Sequence, residues 1–192
     1  MNSFNFFNLE TTKKLKYNME ENKLTIKSTI LTYGLILGGI SVAFNLMLYF
    51  LDMHYQQNAA AGYVGIALMI GVLMYAFIVF KKHNEGYLSL SEALKIGLGI
   101  SLIAGLIGVL YAFVLTEFLD PDMMNKALDL QFEKMRVENP EMSQEQLDMS
   151  REMADKFSSP LIRSAFQLIG ALFIGFIISL IGGLIVKKSR PE

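Results

Sequence analysis

The sequence predicts an all-α membrane protein: four transmembrane helices, with an extracytoplasmic amphipathic helical hairpin between the third and the fourth. Three observations carry that reading. Four uncharged, strongly apolar runs, at 30–51, 59–80, 96–116 and 164–186, are each 21 to 23 residues long. A helix needs about 20 such residues to cross a hydrocarbon core about 30 Å thick, and buried helices of soluble proteins rarely run so long without a charge. Small residues also recur every fourth place in two of the runs: Ala93, Gly97, Ser101, Gly105 and Ala171, Gly175, Ser179, Gly183. On a helix that spacing lays one small residue per turn along a single face, a groove into which a second helix can press. Finally, residues 117–163 hold 11 acidic and 6 basic residues, so most polarity outside the N-terminal tail falls between runs three and four.

Totals set the outer bounds. With 192 residues the chain makes about one domain. A net charge of −1 argues against a nucleic-acid partner. The absence of cysteine excludes disulfides, thiolate metal sites and cysteine nucleophiles. Tryptophan is absent too, so an interfacial aromatic belt falls to Tyr33, Tyr49, Phe50, Tyr63, Phe80, Tyr111 and Phe118 near span ends.

Taken in order, residues 1–29 are polar, with five lysines and three glutamates, and read as a cytoplasmic disordered tail rather than a secretory signal. Met19 is an alternative start to Met1. The first span carries Gly34 and Gly38 as a GxxxG pair. A turn without Lys or Arg, 52–58, leads to span two, which ends in Lys81, Lys82 and His83. Ser89 and Glu92 form a capping box, so the third helix is expected to begin near Leu90. Beyond it, Asp120-Pro121 reads as an N-cap followed by proline at the first helical position. Met124, Leu128, Phe132 and Met135 follow at helical spacing; Asn139-Pro140 stops that helix. Ser143 and Gln146 can cap another, striped by Met149, Met153 and Phe157. The hairpin is thus placed at 120–157. Ser159-Pro160 opens span four, and Lys187, Lys188 and Arg190 lie in the tail 187–192.

Orientation follows from the basic residues. The N-terminal tail, the 81–95 segment and the C-terminal tail hold 11 of the 17 Lys and Arg, and the 52–58 turn holds none. The positive-inside rule then puts both termini in the cytoplasm and the hairpin outside.

Several features together resemble a known family. They are the Gly-rich first helix, Gly62, Tyr63 and Gly65 opening span two, its basic end, Ser91–Gly97 as Ser-Glu-Ala-x-x-x-Gly, and the long acidic loop. In order and spacing the chain is similar, over about residues 20–190, to the domain-of-unknown-function 4199 family of bacterial membrane proteins. The resemblance implies an integral protein of the bacterial inner membrane without an assigned activity, and it transfers no catalytic residue.

Chemistry is sparse. Six of twelve methionines lie in the hairpin region, and thioethers bind Cu(I). With no Met-x-x-Met run or His-Met cluster, packing is the better account of them. No metal set, cofactor motif, G-x-S-x-G, H-E-x-x-H or phosphate loop occurs, so no metal, cofactor or enzyme activity is expected. His54 and His83 read as isolated surface or interfacial side chains. The expected partners are the lipid bilayer, with a second copy of the chain and an extracytoplasmic protein as candidates. Two function classes remain: a structural or interaction protein of the envelope, and a small self-associating carrier or channel. The second draws on the near-repeat of spans three and four, since residues 93–108 and 171–186 match at 11 of 16 positions in opposite membrane directions. One candidate site stands out. Asn45, Glu117, Arg163 and Gln167 fall at similar depth near the hairpin, where burial without partners costs several kcal/mol. They are expected to meet as a polar cluster, with Glu117–Arg163 as its ion pair.

Overall fold

A computed structural model describes residues 24–191 apart from Gln57, Ser158 and the side chain of Asp155. The expected tail and the alternative start at Met19 therefore lie largely outside the described residues. The described chain is helical: α1 (Ile26–Phe50), α2 (Ala59–His83), α3 (Leu90–Val114) with a π-helical turn at Leu115–Leu119, α4 (Met123–Glu138), α5 (Gln144–Phe157) and α6 (Pro160–Val186). Four of them, α1, α2, α3 with its π turn, and α6, are long and apolar enough to cross a membrane.

Polar side chains set where helices start. Thr25 and Ser28 cap α1 reciprocally, Asn58 accepts from the Ala60 N–H at 2.9 Å, and Ser89 with Glu92 forms the expected box. Ser143 and Gln146 cap α5, and Ser159 with Pro160 opens α6. Both α1 and α2 end on a residue in the left-handed region, Asp52 at φ 57° and Glu85 at φ 58°. The following N–H then reaches back to the carbonyl of Leu48 or Lys81, satisfying a terminal group. One start differs from the expectation. Helix α4 begins at Met123, not at Pro121: the Asp120 carboxylate is held by the side chains of His54 and Lys126 instead of capping backbone N–H groups.

Small residues determine how the spans pack. Helices α3 and α6 run antiparallel, with Ala93 against Gly183, Gly97 against Ser179, Ser101 against Gly175, and Gly105 against Ala171. As the α3 number rises by four, the α6 number falls by four. The sequence repeat is what makes this pairing reciprocal: Ser179 sits over Gly97 as Ser101 sits over Gly175. A Cβ added at either glycine would lie 2.7 Å from the facing serine Cβ, closer than side chains pack. On the other side of α3, α1 runs parallel to it, with Ile103 over Gly34, Ile107 over Gly38, and Ile30 over Gly99. Helix α2 completes the ring between α1 and α6, where Met74 and Phe77 close on Gly182. Lipid tails are as apolar as these side chains, so close van der Waals contact, not water exclusion, holds the ring together.

The core is concentrated in one half of the bundle. Leu73, Ala76, Phe77, Phe80, Ala93, Ile96 and Ile100 pack there, beside Leu88 in the α2–α3 loop. That end is tied off by the C-terminal segment. Leu88 and Lys188 exchange backbone hydrogen bonds at 3.0 and 2.9 Å, Lys81 donates to the Val186 carbonyl at 2.7 Å, and Arg190 pairs with Glu85 at 3.3 Å. The hairpin α4–α5 stands at the opposite end.

Candidate functional site at the hairpin root

The hairpin is fastened by residues from three segments. His54, in the α1–α2 turn, lies with Nε2 2.9 Å from Asp120 Oδ2. Lys126, in the first turn of α4, donates to both Asp120 oxygens at 3.0 and 3.1 Å. Tyr49, at the end of α1, donates its hydroxyl to the Leu119 carbonyl at 3.3 Å. The His54 ring is flanked by Tyr49 and Tyr55 with centroids 5.1 Å away, and Lys126 caps the Tyr55 ring at 5.7 Å. Side-chain exposures of 4% for His54 and 11% for Asp120 make this an enclosed polar contact rather than a solvated pair.

Electrostatics follow that geometry. Burial pushes the Asp120 carboxyl up, but the hydrogen bonds and charges of Lys126 and His54 outweigh it and hold the group below its ordinary value. Lys126 moves the other way: its hydrogen bond to Asp120 raises the ammonium above its usual range. A carboxylate saturated by two donors is suited to holding elements together, not to proton transfer. Sequence reasoning missed the triad because its members are far apart: Asp120 lies 66 residues beyond His54. The only local signal was the Asp-Pro pair, read there as a cap.

The expected cluster of Asn45, Glu117, Arg163 and Gln167 is not assembled. Asn45 is exposed and turns its amide onto the Ser41 carbonyl of its own helix at 2.8 Å. That local bond removes the penalty expected to drive it inward. Glu117 is exposed and makes no ion pair with Arg163 within 4.0 Å among the described residues. The π turn explains this. Pro121 has no N–H to extend the α ladder, and the Asp120 N–H bonds the Leu115 carbonyl five residues back at 2.7 Å. Glu117 lies within that turn, where its side chain is exposed.

Arg163 and Gln167 do share a site. With Thr116, Ser164 and the apolar Phe113, Leu115 and Met123 they line a cleft of about 140 Å³ between the end of α3 and the start of α6. Arg163 Nε is buried there without a hydrogen-bond acceptor among the described residues. The small residues singled out for packing lie at the contacts described above. Gly62, Gly65 and Gly71 have nothing within 4 Å of an added Cβ.

Fold and site together define a small all-helical membrane protein, a four-helix bundle with a hairpin rooted at one end. The sequence profile of a family described as protein of unknown function (DUF4199) matches residues 32–188. The chain belongs to that family. No curated protein and no solved structure matches it.

Proposed function

We propose that the protein is a non-enzymatic interaction protein of the bacterial cell envelope, seated in the inner membrane with both termini cytoplasmic, whose hairpin receives an extracytoplasmic protein partner. One observation carries the reading. On α5 the row Met149, Met153 and Phe157 is 59, 55 and 53% exposed, although the hairpin root beneath it is fixed. Among the described residues of α5, Leu147, Ser150 and Ala154, on another face of the helix, are the covered ones, leaving the methionine row open. Flexible thioethers beside an aromatic ring suit an adaptable contact surface. The surrounding acidic residues favour a partner with a basic rim. Orientation rests on the Lys and Arg asymmetry. The charge-free spans weigh against transport, which usually uses ionisable groups at mid-membrane.

Photocrosslinking in cells tests this. A photoreactive residue at Met149 or Met153 should give the same single protein adduct, and one at Asp148 should not. Adducts to lipid alone, or equal adducts from all three positions, contradict the proposal. The alternative, a small self-associating carrier or channel, draws support from the first three turns of α2. They are exposed almost all round, with open space at Gly62 and Gly65. A disulfide between copies carrying Gly65→Cys would favour it.

A further inference from the structure

The cleft between α3 and α6 has a chemistry that the hairpin does not use. Two of its donors, the Arg163 guanidinium and the Gln167 amide, make no side-chain hydrogen bond among the described residues. The Thr116 and Ser164 hydroxyls already donate to the Ala112 and Pro160 carbonyls of their own helices, at 3.0 and 2.8 Å. No carboxylate of the described residues pairs with Arg163 within 4.0 Å. A guanidinium N–H buried without an acceptor is costly, so the cleft calls for a ligand that only accepts and carries negative charge.

The remaining wall says what else the ligand must be. Phe113, Leu115 and Met123 are apolar, and Phe113, Leu161 and Phe166 continue from the cleft onto exposed apolar surface of α3 and α6. Arg163 lies in the first turn of α6, where a membrane-crossing helix enters the headgroup layer. An acceptor group above and an apolar body below describe an amphiphile. We infer that this cleft binds the phosphodiester headgroup of an anionic phospholipid from the leaflet on the hairpin side, with Arg163 and Gln167 as donors and one acyl chain lying past Phe113. A free phosphate ion offers the same acceptors without the chain, and the two sources separate experimentally.

Native mass spectrometry of the full chain in detergent, titrated with phosphatidylglycerol, phosphatidylcholine or inorganic phosphate, decides the matter. The expected result is one phosphatidylglycerol per chain, held about tenfold or more tightly than phosphatidylcholine. Arg163→Gln should weaken it by about tenfold or more, the scale of one charge-assisted hydrogen bond, and Arg163→Lys should weaken it less. Thr116→Phe fills the cleft while keeping the charge, and should abolish the adduct in a protein whose helical content and melting are unchanged. That second variant decides if Arg163→Gln does not fold. Equal retention of the two lipids, or phosphatidylglycerol binding unchanged in folded Thr116→Phe, would overturn the inference. Binding of inorganic phosphate without binding of phosphatidylglycerol would overturn the lipid assignment.

Discussion

At the residue scale, the α3–α6 crossing depends on four small residues, Gly97, Ser101, Gly175 and Ser179. Ser101 Oγ donates to the Gly97 carbonyl at 2.7 Å, and Ser179 Oγ to the Gly175 carbonyl at 2.6 Å. Each hydroxyl is satisfied within its own helix, so the contact across the interface is van der Waals packing of small groups. Replacing either serine with alanine should therefore cost little, below about 1 kcal/mol, since the helix carbonyl keeps its backbone bond. Gly175→Leu should cost about 1–3 kcal/mol by overpacking, while Gly65→Ala, facing open space, should cost nothing in packing. Unfolding in detergent measures all three. If Gly175→Leu and Gly65→Ala behave alike, the crossing is not held by close approach.

Asp120 yields a pH dependence. Its pKa is lower in the folded chain, so its contribution is present above the unfolded value near about pH 4 and is lost as pH falls through the lowered folded value. Lys126 has the opposite sign: its contribution is present below its ordinary value near about 10 and is lost as pH rises through the raised one. The root should thus hold across the neutral range. Hydrogen-exchange protection at residues 119–127, corrected for the intrinsic pH dependence of amide exchange, should be high at pH 7 and fall in strong acid. Asp120→Asn should raise exchange already at pH 7.

At the element scale, the strongest signals in the sequence were the periodic ones. Four-residue spacing of small residues fixes a helix face, because the period of the helix is known in advance. The identity of the facing element is not periodic, and was less legible. Gly34 and Gly38 read as a GxxxG pair, yet what meets them is the isoleucine ladder Ile103 and Ile107 of α3, not a second glycine pair. The Glu117–Arg163 expectation failed for a related reason. It assumed a regular α-helix to the end of span three, whereas Glu117 lies within a π turn. The clamp at the other end was equally hidden, since two residues of backbone pairing leave no pattern. It carries its own prediction. Ending the chain after Val186 removes the two Leu88–Lys188 hydrogen bonds and should cost about 1–3 kcal/mol, at about 0.5–1.5 each. Unchanged unfolding of the truncated chain would show the clamp to be incidental.

At the scale of the whole molecule, the two ends differ in charge, packing and attachment. One end gathers Lys81, Lys82, Lys95, Lys187, Lys188 and Arg190 around a dense core. The other carries the hairpin on a root of His54, Asp120 and Lys126. The central claim is that these ends lie on opposite sides of a membrane crossed four times. The chain has no cysteine, so single introduced ones report without background. Labelling intact cells with a membrane-impermeant thiol reagent tests the claim most directly. Cysteines at Gln56 and Asp148 should label, and those at Asn84 and Ser189 should label only after the membrane is opened. Labelling of Asn84 in intact cells, or protection of Asp148, would contradict the account.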